Sequence, residues 1–153
     1  MVGVYDLCAR VQNGFRAKIA RIAVPETNLN LSVSRILYQQ GFIYSVTRGN
    51  HLGPDPSYTP TTNLNIAERR LWLNLKYYND SPVLTKMSCI SKPSRKITCS
   101  ADEIIKIVSG VRAGIVKPLN PGEVIIVSTS RGILEINDAA KQNLGGILLA
   151  RVS

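Results

Sequence analysis

From Arg70 to Tyr78 the chain alternates without a slip: Leu71, Leu73, Leu75 and Tyr77 fall on one side of an extended backbone, and Trp72, Asn74, Lys76 and Tyr78 on the other. Period two over nine residues predicts a β-strand with one buried face. A strand of this kind needs paired neighbours and a second layer over its leucines. An all-helical chain is therefore excluded, and helices elsewhere in the sequence have a sheet to cover.

Val4, Leu7, Cys8 and Val11 recur at helical spacing, and Asn13-Gly14 closes that first helix. Arg16 to Val24 reads as a strand ending at Pro25. Thr27 or Asn28 caps a second helix with the stripe Leu29, Val33, Ile36 and Leu37, which Gly41 ends. Phe42 to Arg48 returns to strand. Gly53-Pro54-Asp55-Pro56 and Pro60 then break all periodicity to about Asn63, predicting a surface loop. After the turn Asn79-Asp80-Ser81-Pro82 comes a strand over Val83 to Ile90. Asp102-Glu103 open a helix striped by Ile104, Ile105, Val108 and Val111, with its acids at the positive end. Beyond a loop from Ala113 to Gly122, a strand Glu123 to Val127 turns through Ser128-Thr129-Ser130-Arg131-Gly132 into Ile133-Leu134. Asn137 caps a short helix through Gln142, and Gly145-Gly146 leads into a last strand, Ile147 to Val152.

With 153 residues the chain fits one ordinary domain or two small ones with a real core. Nineteen Lys and Arg against ten Asp and Glu leave +9, in a sequence that is 44% hydrophobic. That combination is a folding chain with a basic surface, and it points to a polyanionic partner. The excess is spread along the chain, +4 over residues 1–70 and +5 over 71–153. The longest apolar runs, Val124 to Val127 and Ile147 to Ala150, fall far short of the ~18 residues of a membrane span. The first residues lack a basic, then apolar, then small-residue pattern, so no secretory signal is read there. Cys8, Cys89 and Cys99 are odd in number and form no Cys-x-x-Cys pair, which predicts buried thiols in a reducing compartment.

Catalysis finds little footing. The one histidine, His51, lies in the proline-rich loop, and no serine or cysteine carries a local base motif. Ser128 and Ser130 lack the Gly-x-Ser-x-Gly elbow, and neither a phosphate loop nor a dinucleotide fingerprint is present. Three scattered cysteines and one histidine offer no zinc spacing. The expectation is no enzyme, no metal, no cofactor and no small-molecule substrate. The informative feature is the hydroxyl-rich turn Ser128-Thr129-Ser130-Arg131-Gly132. Its short hydroxyls and free backbone groups suit sugar edges and phosphates, and Arg131 adds a forked cation. An ordinary polar turn has the same composition. The run Lys92-Pro93-Ser94-Arg95-Lys96 is likewise either a solvated loop or a phosphate contact. Gly145 and Gly146 either permit a bend or let RNA approach the backbone. The face of Trp72 and Tyr78 reads as packing or edge surface rather than a stacking platform.

These segments together resemble the S-eight family of small-subunit ribosomal proteins over nearly the whole chain. The segments are Val11-Gln12-Asn13-Gly14, Leu37-Tyr38-Gln39-Gln40-Gly41-Phe42-Ile43, Leu75-Lys76-Tyr77, Ser91-Lys92-Pro93, Asp102-Glu103-Ile104, Val127 to Gly132, and Ala139-Ala140 with Leu144-Gly145-Gly146. Each is weak alone, but seven in family order are specific. The resemblance implies an α+β fold, with a small α/β N-terminal domain (1–80) packed on a mainly β C-terminal domain (81–153) with short helices. It implies binding to small-subunit ribosomal RNA, in a distorted central-domain helix, and contact with neighbouring small-subunit proteins during assembly. Ser128, Thr129, Ser130, Arg131 and Gly132 carry over as RNA-binding residues, followed by Lys92, Lys96 and Gly146. Departures from the family pattern are the missing aromatic in Lys96-Ile97-Thr98-Cys99-Ser100, Ile147 in place of an acid, and insertions near 50–62 and 111–121. Enlargement beside a bacterial-type turn implies a mitochondrial member, with the bacterial cytoplasm or the chloroplast as alternatives. Family-like residues begin by Leu7, so import would use an internal signal. A translational regulator binding a messenger that mimics the ribosomal site is the alternative function, and cosedimentation with small subunits separates the two.

Overall fold

A computed structural model describes residues 3–153. Its contacts divide the chain into two compact units, Ala9–Thr85, and Lys86–Ser153 together with the described residues up to Cys8.

Helix α1 (Val4–Arg16) runs two residues past Asn13-Gly14, where the sequence pattern closes it. Gly14 is there for packing: a Cβ would stand 2.9 Å from Ile22 Cγ2 and 3.0 Å from Leu75 Cδ1. The next residue, Phe15, is 1% exposed and its ring lies 5.6 Å from that of Tyr77. The helix stops where Lys18 turns left-handed at φ 55° and Ile19 N–H reaches back to the Gly14 carbonyl. Strand β1 (Arg21–Pro25) consequently starts later than Arg16. Helix α2 (Asn28–Gln39) is capped by Thr27, whose hydroxyl oxygen accepts from Asn30 N–H at 3.1 Å, and Gly41 follows it at φ 82°.

Strands β2 (Ile43–Asn50) and β3 (Arg69–Leu75) complete an antiparallel sheet in the order β1-β3-β2. Leu71, Leu73 and Leu75 are buried together with Val24, Ile43, Val33 and Leu37, as the alternation predicts. The predicted run to Tyr78 breaks at Lys76: β4 (Tyr77–Tyr78) turns through Asn79 and Asp80, both at positive φ, to pair with β5 (Ser81–Pro82). The proline-rich segment lies at the surface but is tied down. Buried Arg69 donates to an Asp55 carboxylate oxygen and to the Thr59 carbonyl, and Glu26 pairs with Arg48 at 3.1 Å and Arg69 at 3.6 Å.

In the other unit, β6 (Met87–Cys89) is the regular part of the strand expected over Val83 to Ile90, and backbone hydrogen bonds to Ser153 and Leu149 extend its pairing from Lys86 to Ile90. After β7 (Thr98–Cys99), Ser100 opens α3 (Ala101–Val108) with a reciprocal capping box to Glu103. Ile104 and Ile107 are its buried residues; of those assigned to the stripe from sequence, Ile105 is 42% exposed on the helix's outward side, and Val111 is 54% exposed because the helix ends at Val108. Strands β8 (Val124–Thr129) and β9 (Gly132–Glu135) form a hairpin. Helix α4 (Ile136–Lys141) is capped by the Glu135 carboxylate, which accepts from Asn137 N–H, and not by Asn137 itself. Strand β10 (Gly146–Val152) lies between β6 and β7 on one side and β8 on the other. The core beneath it gathers Cys99, Ile104, Ile107, Ile125, Val127, Ile136, Ala139 and Leu148. No helix of the described residues is long and apolar enough to cross a membrane.

Candidate nucleic-acid interface

The hydroxyl-rich segment is narrower as a turn than its sequence suggests. Ser128 and Thr129 are the last residues of β8, Gly132 is the first of β9, and only Ser130 and Arg131 form the two-residue loop. Gly132 takes φ 99°, which other residues resist, while neither Ser130 nor Arg131 has positive φ, so the turn is closed by the glycine that follows it.

The hydroxyls divide by what they already hold. Thr129 Oγ1 donates to the Gly132 carbonyl at 2.8 Å and accepts from Arg131 N–H at 3.2 Å, so it closes the turn. The hydroxyls of Ser128 and Ser130 make no hydrogen bond among the described residues, although the Ser128 backbone is paired on both sides. Ser128 shares its face of β8 with the buried Val124 and Ile126 but, at the strand's end, is only half-buried, and Ser130 is exposed at the tip. Arg131 is exposed as well, with one guanidinium N–H toward Gln142 Oε1 at 3.5 Å. Gln142 escaped the sequence reading, since nothing in its neighbourhood signals a partner eleven residues back.

Gly146 sits opposite Thr129, and Ile147 opposite Ser128. A Cβ on Gly146 would lie 2.0 Å from the Ser128 carbonyl oxygen, so the missing side chain lets β10 close on the turn. Gly145 has the same duty toward β7, with the Cys99 carbonyl 2.7 Å from its would-be Cβ. Thr129 is thus flanked by glycines on both neighbouring strands, Gly132 and Gly146, which bares the backbone around it.

The basic run folds into its own tight turn. Lys92 and Arg95 exchange two backbone hydrogen bonds, at 2.9 and 3.0 Å, and Lys92, Arg95 and Lys96 are exposed. Ser91 anchors it: its hydroxyl donates to the Leu148 carbonyl and accepts from Ile97 N–H at 2.9 Å. Thr98 and Ser128 then flank Ile147 on opposite sides. With strands about 4.8 Å apart, the two turns come to the start of β10 within roughly 10 Å of backbone. Behind the basic turn, the Cys8 thiol hydrogen-bonds to Cys89; this bond and the nearby Lys92 charge lower Cys89, while the same bond and burial raise Cys8. A surface with hydroxyl donors, bare backbone and exposed cations fits the sugar-phosphate face of a folded polynucleotide.

Comparison with known proteins agrees in kind. The family model described as Ribosomal protein S8 matches residues 3–153. The chain is 44% identical to small ribosomal subunit protein uS8m of Schizosaccharomyces pombe, covering 94% of this chain and 95% of that protein. It is 39% identical to uS8m of Neurospora crassa, covering 97% and 96%. A bacterial relative, small ribosomal subunit protein uS8 of Wigglesworthia glossinidia brevipalpis, is 32% identical over 97% of this chain and 95% of its own length. With a match from residue 3 to residue 153 and relatives aligned over nearly their full lengths, the chain belongs to the ribosomal protein S8 family.

Proposed function

We propose that the chain is a structural, non-catalytic constituent of the mitochondrial small ribosomal subunit, and that it holds small-subunit ribosomal RNA through the β8–β9 turn. The full-length likeness to fungal uS8m proteins supports the mitochondrial ribosome as its place of work. One observation carries the choice of site: Ser128 and Ser130 present hydroxyls without partners among the described residues, beside the glycine-flanked Thr129 and the exposed Arg131. Lys92 and Lys96 supply phosphate contacts from the adjoining turn, and Gly146 keeps the two strands close enough to hold the hydroxyls in place.

The test is affinity for mitochondrial small-subunit RNA, with a scrambled duplex of equal length as reference. Ser128→Ala with Ser130→Ala keeps the +9 charge and removes two hydroxyls. At roughly 1 kcal/mol per hydrogen bond, specific binding falls about 30-fold while the scrambled duplex binds as before. Arg131→Ala instead reduces the salt dependence on both RNAs, because it removes a phosphate-neutralising charge. A folded double-alanine variant that binds as tightly as the parent overturns the site.

A further inference from the structure

The β8–β9 turn leaves the sheet β1-β3-β2 without a task on its second face. Arg70, Trp72 and Asn74 point away from the buried leucines of β3, and the register sets them in rows: Pro25, Arg70 and Gly49; Ala23, Trp72 and Thr47; Arg21, Asn74 and Ser45. Lys76 follows, its Nζ 5.6 Å from the ring centroid of Tyr44, a bulged residue that is 61% exposed. No Asp or Glu occupies any of these rows; Glu26 and Asp55 are engaged by Arg48 and Arg69. Trp72 lies against the backbone of Gly49, where a Cβ would be 2.7 Å from its Cδ1, and its indole N–H donates to the Asn50 carbonyl at 2.9 Å. The ring, held by that hydrogen bond, has small neighbours, Ala23 and Thr47, on either side, and is partly exposed.

We propose that this face is a second RNA-binding surface, one that takes unpaired nucleotides by stacking a base on Trp72 while Arg21 and Lys76 meet the flanking phosphates. A rigid aromatic ring amid cations is what single-stranded RNA needs, and stacking tolerates any base. The inference rests on the reading of the chain as an RNA-binding ribosomal constituent, but uses none of the hydroxyl-turn residues.

Trp72 is the only tryptophan in the sequence, so its emission reports on this face alone. The full-length protein is titrated with a 12-nucleotide oligouridylate, and with an RNA duplex of equal length. The single strand quenches Trp72 and the duplex does not. Arg21→Glu with Lys76→Glu weakens that quenching titration at least ten-fold, whereas Ser128→Ala with Ser130→Ala leaves it unchanged. Trp72→Ala, followed by anisotropy of the labelled oligonucleotide, binds roughly 5- to 150-fold more weakly. Absence of quenching, or quenching indifferent to charge reversal, overturns the proposal. So does Trp72 in assembled subunits staying shielded from quenchers after nuclease digestion, since a protein would then cover the face. Quenching that persists while the double-alanine variant keeps full affinity for ribosomal RNA would refute the turn and leave this surface standing.

Discussion

Replacing Gly146 by Ala adds one methyl group at the point where β10 meets the turn. The new Cβ would lie 2.0 Å from the Ser128 carbonyl oxygen and 2.9 Å from its carbonyl carbon, where real contacts do not fall below 3.0 Å. The obstacle is backbone, so no rotamer change relieves it, and β8 and β10 must part by about 1 Å. The pairs Gly146 with Thr129 and Ile147 with Ser128 are the ones disrupted. Two hydrogen bonds at about 1 kcal/mol each, with a further ~1 kcal/mol of overpacking, put the loss near 3 kcal/mol. For a unit of this size that lowers the melting temperature by about 12–24 °C. Gly132→Ala is the control in the same hairpin: its Cβ meets nothing within 4 Å, but φ 99° must be kept, at about 1–2 kcal/mol. Thermal unfolding followed by circular dichroism, with RNA affinity measured below both transitions, separates the two. Gly146→Ala melting within about 3 °C of the parent, or above Gly132→Ala, would refute the steric reasoning.

Burial raises the Glu135 carboxyl above its ordinary value of 4.5, against the lowering pull of the Asn137 N–H. The folded state therefore binds that proton more tightly than the unfolded chain, and this group's contribution declines as pH rises from the ordinary value through the raised one. Glu135→Gln keeps a cap oxygen and stays neutral, so its stability relative to the parent should grow over that window in denaturant titrations at stepped pH; a gap that shrinks on raising pH contradicts the assignment. Ser100→Ala removes half of the α3 capping box and should cost about 1 kcal/mol in chemical unfolding, with Glu103→Ala adding little on top because the two act as one device. Cys8→Ser places a hydroxyl where a 3% exposed thiol sits, and should destabilise by about 1–3 kcal/mol while the folded protein keeps its RNA affinity; a fully stable variant with impaired binding would reverse that.

Much of the first unit is legible in its sequence because single residues there signal locally. Leu71, Leu73 and Leu75 alternate as they bury, Thr27 caps the helix it precedes, and Gly41 ends it. What escapes depends on partners distant in sequence. Gly14 looks like a helix stop until Ile22 and Leu75 are seen to occupy the space of its side chain. Asn137 is an ordinary cap residue, but Glu135, two residues earlier, is buried and sets its carboxylate at the cap position. At the site, the turn is visible as a run of hydroxyls; which of them are free is decided by the hairpin, where Thr129 closes on Gly132 and Arg131. The seat of Trp72 on Gly49, twenty-three residues earlier, appears only once β2 and β3 are paired.

Strand β10 joins β6, β7 and β8, and it follows all three in sequence. During synthesis the sheet of the second unit has no centre until residues 146–152 have been polymerised and released from the exit channel, whereas Ala9–Thr85 already holds every strand of its own sheet. The hairpin β8–β9 can form by local contacts alone, but the strand that positions Ser128 against Ile147 arrives last. A nascent chain can thus complete the sheet of its first unit early, and acquires a fixed hydroxyl turn only once β10 has been made.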